Sequence, residues 1–549
     1  MVSVYSSTAT YSDDVNSLSS PQLRAVEVWK TQVTVDRRLT SVELVYIDNV
    51  SMLCLETKKK QGNVSRVQYA LSDLVSMRPA TRMARCPVKE TKGRICSKKI
   101  DTVMDSAHSE RLTFYFLKRQ PSSVLRLQQF TMCFDSELTR FQWEYYNRPH
   151  QVLVYVNPHA GKRRALKIYK KQVVPLFELT GVKATLVVTS RPNQMMDELK
   201  LMDYNLFCSF DGILAVGGDG LWNELITGAL LRQQTHAGID HNDCRASLSR
   251  APIKLGAIPA GSTNSFCRTV FGTGDPFTAA LHVVMGKSCK VDVLSVHEDV
   301  TFVRFASLFA AFGTLGFGLG LSESMRCLGP LRYEVSGVRT LFRNPSYLAK
   351  IQYRPAYEGL YDSAKQMLQE FKNDYVRLPQ CARPCDICNS PSRAKTQSLY
   401  TYIPIYPEEV TDVFSNVCGC VSPTVSKFTP GGMAKNHLGD GTIDLLLTRK
   451  VTRMQLVHLM FKTKRGKGDQ FHHKTVTPIR VTRFALTAGT DLTEQEKRSF
   501  RQNTFQERGC WNIDGEFRTH SPQSTLHIRV HKQLVNAYGS DGDQLEQTR

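Results

Sequence analysis

Ile213-Leu214-Ala215-Val216-Gly217-Gly218-Asp219-Gly220 is an apolar run that ends in three glycines around one carboxylate. The run predicts a buried strand, and the glycines let the backbone behind it close on a bulky anion. The amides of the loop, and the start of the helix that follows, face that anion with a positive partial charge. A carboxylate in such a cradle repels phosphate. Asp219 is therefore expected to hold a metal ion or to take a proton from an acceptor group.

The pattern on either side fits this reading. Val152–Val156, Ala184–Val188 and Ile253–Ile258 predict further strands. Arg164–Leu179, kinked at Pro175 and ended by Gly181, Asn193–Met202 and Leu221–Leu231 predict helices. Alternation of this kind implies a parallel sheet covered on both faces, with ligands at the carboxyl edge of its strands. Beyond Lys290 it stops. Val291–Val296, Phe302–Phe309 and Leu445–Thr448 predict antiparallel strands, with Asp440-Gly441 as a turn. Ahead of the sheet, short apolar segments recur between Ala25 and Arg148. Phe134, Leu138, Phe141 and Tyr145 then follow at helical spacing, with Trp143 among them. Strands closed by one helix resemble a pleckstrin-homology domain, and Lys58-Lys59-Lys60 suits either a phosphoinositide-facing loop or a solvated turn.

The chain has 549 residues, enough for several domains, and 71 Lys and Arg against 50 Asp and Glu give a formal charge of +21. That balance favours anionic partners such as lipid headgroups and nucleotides. Scattered basic residues without a recognisable module argue against nucleic acid. Met1–Ser20 lacks a signal pattern, so the 15 cysteines are expected to be reduced thiols in the cytoplasm. Phe305–Ser322 carries no charge, but glycines interrupt it, and buried strands or the wall of an apolar pocket are expected there rather than a membrane span.

Three more loops carry polar groups. Asn157-Pro158-His159-Ala160-Gly161-Lys162 and Pro259-Ala260-Gly261-Ser262-Thr263-Asn264 end strands, and Trp511-Asn512-Ile513-Asp514-Gly515-Glu516 places two carboxylates around a glycine. Backbone donors, hydroxyls, cations and carboxylates together suit phosphoryl transfer, which is mostly positioning and charge neutralisation. On these motifs, with Glu224, Arg326 and Arg332, residues 151–538 resemble the diacylglycerol-kinase catalytic superfamily, and within it the ceramide kinases.

The resemblance implies an α/β plus β fold. A Rossmann-like nucleotide domain (150–289) follows the disordered lead (1–24) and the pleckstrin-homology-like domain (25–148) read from the preceding residues. An antiparallel β-rich lipid-binding domain with flexible insertions (290–538) and a polar tail (539–549) complete it. It also implies an ATP- and Mg²⁺-dependent lipid kinase, cytoplasmic and peripheral to an anionic membrane, that phosphorylates the primary hydroxyl of ceramide. Asn157, Pro158, His159, Ala160, Gly161 and Thr189 would surround the nucleotide, with Glu224 on that side. Gly261, Ser262 and Thr263 would bind its phosphates, and Arg326 and Arg332 would neutralise them. Asp514, Gly515 and Glu516 would orient Mg²⁺ or its water. Gly217, Gly218 and Gly220 would line the acceptor side, with Asp219 as the base.

One departure stands out. Many active relatives carry an Asp shortly before the Arg pair, whereas residues 313–320 contain no acid and Glu323 is the first carboxylate available. The alternatives are thus a non-catalytic ceramide-kinase-like lipid-binding protein, or a kinase for diacylglycerol or sphingosine. Cys381, Cys385 and Cys388, with Cys418 or Cys420, have close to zinc-ligand spacing, or are reduced thiols in a loop. Thr452–Arg465 has the basic amphipathic composition of a membrane-surface segment or of a calmodulin target with calcium regulation. A helix packed on the lipid domain is the plainer reading.

Overall fold

The computed structural model describes seven strands between residues 26 and 134. Short breaks apart, it also describes residues 149–356, 405–500 and 509–539. The N-terminal strands are β1 (Val26–Val35), β2 (Arg38–Ile47), β3 (Val50–Lys58), β4 (Val64–Ala70), β5 (Leu74–Pro79), β6 (Glu110–Arg119) and β7 (Leu125–Phe134). They form one sheet in the order β4-β3-β2-β1-β7-β6-β5. β1 pairs antiparallel with β2 and β7, and β3 with β2 and β4. The expected helix around Trp143 and the loop at Lys59-Lys60 lie outside the described residues.

The second unit begins with β8 (Gln151–Val156), α1 (Ala165–Ile168), α2 (Val174–Thr180), β9 (Lys183–Val188), α3 (Gln194–Leu201) and α4 (Tyr204–Ser209). It continues with β10 (Gly212–Gly217), α5 (Asp219–Ala237), β11 (Lys254–Pro259), α6 (Ser265–Phe271) and α7 (Pro276–Val284). The strands are parallel in the order β9-β8-β10-β11. Val152–Val156 and all of β10 are buried, as strands covered on both faces must be. The helix expected over 164–179 is broken by a π turn, Tyr169–Val173, just ahead of Pro175. Proline has no N–H to give the carbonyl four residues back, and the wider turn absorbs the misfit.

The chain then forms β12 (Ser288–Glu298), β13 (Thr301–Ala306), β14 (Phe309–Gly313), α8 (Thr314–Ser324), α9 (Arg332–Arg343), β15 (Tyr347–Pro355) and β16 (Glu408–Cys420). It ends with β17 (Ile443–Arg449), α10 (Arg453–Arg465), β18 (Val476–Ala488), β19 (Cys510–Ile513), β20 (Glu516–Thr519) and β21 (Thr525–Tyr538). These strands pair antiparallel. β21 also pairs parallel with β11, Lys254 opposite Asn536, so one 14-stranded sheet runs through both lobes.

Two expectations change. Phe302–Phe309 is two strands, because the amides of Ser307 and Leu308 turn to a carboxylate instead of a neighbouring strand. The second half of Phe305–Ser322 is α8, a helix, while Ala310–Phe312 of β14 is buried as anticipated. Among the described residues no helix is long and apolar enough to cross a membrane. The core is shared between lobes. Trp222 on α5 stacks on Phe266 of α6 at 3.8 Å, and its Nε1 donates to Ser307 Oγ at 2.8 Å.

Candidate active site

β8, β10 and β11 end side by side, and their loops are tied together. Asn157 N donates to Val216 O (3.2 Å), while Ala260 N and Gly261 N donate to Gly217 O (2.8 and 3.0 Å). The Asn264 side chain locks the last loop, its Oδ1 accepting from Gly261 N at 2.8 Å and its Nδ2 donating to Gly261 O at 3.1 Å. Asn157 Oδ1 accepts from His159 N at 2.9 Å, and Thr189 N donates to Val156 O at 3.0 Å.

Two glycines are required by space. Gly161 has φ +55°, and a Cβ there would lie 2.6 Å from Ala260 O; a Cβ on Gly261 would collide with Gly218 Cα. Gly261→Ala is expected to push the second and third loops apart. It should cost about 1–3 kcal/mol of stability, read by denaturant unfolding, and raise the KM for ATP about tenfold, read by steady-state kinetics.

Asp219 is the first residue of α5, but its carboxylate reaches sideways to the start of α6. Oδ2 accepts from Ser265 N and Oδ1 from Phe266 N, both at 3.0 Å. The amides at the start of α6 therefore face a resident carboxylate, not an incoming anion. Burial pushes the Asp219 carboxyl above its ordinary value, against the pull of the Ser265, Phe266 and Asn264 amides.

The C-terminal hairpin enters from the other side. Asp514 is fully buried and accepts from four donors: Ser307 N (2.7 Å), Leu308 N (3.0 Å), Phe309 N (2.9 Å) and Asn223 Nδ2 (3.2 Å). Burial pushes its carboxyl up to about 6, the amides pulling the other way. Four donors leave little of it for a cation, so Asp514 reads as an anchor for the hairpin. Glu516, two residues on and half exposed, faces Gly220, where a Cβ would sit 3.1 Å from Oε1. Of the two hairpin carboxylates, Glu516 is the one left half exposed beside the Asp219 loop.

Arg304 on β13 stands immediately before the uncharged run Phe305–Ser322. Its Nη1 donates to Asn223 Oδ1 (3.2 Å), its Nη2 donates to Asn193 Oδ1 (3.3 Å), and Glu516 Oε2 lies 4.0 Å away. One guanidinium so links the loop before α3, helix α5 and the hairpin, as a planar fork of donors can. A recess of about 170 Å³ opens here, lined by Val303, Arg304, Ile513, Glu516, Phe517 and Arg518. Burial and the Glu516 charge raise the Glu224 carboxyl; the amides of Asn193 and Met195 and the Arg304 charge lower it, with burial the largest effect.

Other expected residues fall elsewhere. Arg332 pairs with Glu323 at 3.4 Å. Arg326, Cys381, Cys385 and Cys388 lie outside the described residues. Cys418 and Cys420 are buried on β16 with their sulfurs 3.5 Å apart, and the neighbouring Cys418 thiol, with burial, pushes the Cys420 thiol well up. Among the described residues no group of three His, Cys, Asp or Glu is arranged to hold a metal ion.

Residues 151–296 match the diacylglycerol kinase catalytic domain, and residues 408–549 match the ceramide kinase C-terminal domain. The chain is similar to ceramide kinase 1 of Caenorhabditis elegans, 32% identical over 451 residues covering 80% of this chain and 76% of the relative. It is also similar to ceramide kinase of Mus musculus, 31% identical over 419 residues covering 71% and 75%. Ceramide kinase-like protein of Homo sapiens is 26% identical over 433 residues covering 73% and 70%. A putative diacylglycerol kinase from Bacillus anthracis str. Sterne superposes with TM-score 0.43 at 16% identity, covering 71% and 98%.

The chain is therefore a lipid kinase with a diacylglycerol-kinase type catalytic domain. It belongs to the ceramide kinase family.

Proposed function

We propose that this site transfers the γ-phosphoryl group of ATP to the primary hydroxyl of ceramide, giving ceramide 1-phosphate. The observation that carries this reading is the joining of three strand-end loops around Gly217, with Asp219 on one side and Glu516 facing Gly220 on the other. Asn157 to Gly161 and Thr189 border the nucleotide, and Gly261, Ser262 and Thr263 its phosphates. Arg326 and Arg332 are assigned to offset the phosphate charge by the family resemblance alone, Arg332 being paired with Glu323. A divalent ion such as Mg²⁺ supplies further charge neutralisation on phosphate oxygens when bound, and Glu516 is the residue to hold it through water. Asp219 takes the acceptor's proton. Purified protein, labelled ATP and a panel of ceramide, diacylglycerol and sphingosine test the reading; ceramide is expected to take up label fastest, and preferential labelling of either other lipid refutes it.

A non-catalytic role is the second reading. It is favoured by the lack of an acid in the first turns of α8 and by Glu323 being engaged with Arg332. No label in any lipid, from folded protein that still binds ATP, is its expected result.

A further inference from the structure

α9 is built inside out. It buries the polar Ser336 and Thr340, the latter facing Gly318 of α8, and turns Val338 and Phe342 outward, with Leu331 just ahead of it also exposed. A helix on a water-soluble surface does the reverse. Phe342 is 67% exposed, which leaves a large apolar ring in solvent with nothing gained from burial. α10, beside it, also turns apolar side chains outward, although its buried residue is apolar. Leu459 is buried, while Met454 (78% exposed), Met460 and Phe461 (64%) face out. The two helices pack together, and Asn344, which ends α9, donates from Nδ2 to Val451 O at 2.7 Å just ahead of α10.

The charges around these side chains are mostly positive. Arg339, Arg343, Arg453, Lys464 and Arg465 are exposed among them. α10 contains no acidic residue, and the one exposed acid of α9, Glu334, sits in its first turn, one turn before Val338 and two before Phe342. Apolar side chains interleaved with cations on one face match an anionic bilayer: the rings enter the acyl boundary and each cation gains from the headgroup charge.

We propose that the joined outer faces of α9 and α10 are the surface by which this protein docks on an anionic membrane, with Phe342 and Phe461 inserted. The inference rests on the lipid-kinase reading only in placing the enzyme where its acceptor is. Vesicle binding is measured without ATP, so failure of one is separable from failure of the other.

The test is full-length Phe342→Trp against wild type, read as difference fluorescence. Phosphatidylserine-containing vesicles should shift the added Trp to the blue, and brominated acyl chains should quench it. Val338→Asp with Phe461→Asp should weaken vesicle binding at least tenfold while the thermal midpoint holds. Emission unmoved by vesicles overturns the proposal. So does a shift present before lipid is added, which means another segment covers the patch. A shift given equally by phosphatidylcholine alone, or by calmodulin and not by vesicles, also overturns it.

Discussion

Asp219→Asn is expected to yield a folded protein that phosphorylates its lipid at least about 10³-fold more slowly, the scale of a lost general base. The substitution keeps the shape of the side chain and one acceptor oxygen. One of the two amide bonds, from Ser265 or Phe266, is lost. The stability cost should be about 1–3 kcal/mol, which a thermal or denaturant scan separates from the kinetic loss. An amide cannot take a proton at any pH used. The pH profile is the sharper measurement. Burial holds the Asp219 carboxyl above its ordinary value. The wild-type rate should therefore fall as pH drops through that raised value and level off above it. The residual rate of the Asn variant should lack this acid limb. A limb of unchanged position in the variant would remove Asp219 from the role of base and leave it as the cap of α6.

Much of this site can be read along the chain, and the reason is local. Val152–Val156 and Ile213–Val216 are apolar enough to be strands only inside a covered sheet, and Gly161 and Gly261 sit where a Cβ has no room. The partners of the charged groups are another matter. Asp219 meets amides 46 and 47 residues away, and Asp514 meets amides more than 200 residues away. No periodicity encodes such pairings. Arg304 is in sequence only a lone cation ahead of an uncharged run, and its work depends on Asn193, Asn223 and Glu516 arriving from three elements. The same holds for β21. A strand near the C-terminus that pairs parallel with β11 merges two domains that looked separable at residue 290. The α8 segment misled for a compositional reason, since an uncharged, glycine-broken run fits a buried strand as well as a packed helix.

Asp514→Ala is expected to be the most destabilising single change near the site. The carboxylate is the shared acceptor for three consecutive amides and for Asn223 Nδ2, all in a buried setting. Its removal leaves those donors without their acceptor, at about 1–3 kcal/mol each before relaxation or entry of water. A net loss of about 4 kcal/mol is expected, in the range for breaking a buried charged network. It should show as a lowered denaturant midpoint with the slope retained. Activity should fall further than stability at a temperature where the variant is still folded, because the hairpin that presents Glu516 to Gly220 is no longer tied down. A pH arm identifies the cause. The folded carboxyl sits near 6 against 3.8 for an ordinary Asp, so the folded state holds this proton more tightly than the unfolded chain. Its contribution to stability is then greatest below the unfolded value and shrinks by about 3 kcal/mol as pH rises through the folded one. The difference in stability between wild type and Asp514→Ala should narrow from pH 4 to about 6.5 and stay flat above. A gap that widened over that window would mean that the four donors outweigh burial, and that the carboxylate is ionised well below its ordinary value.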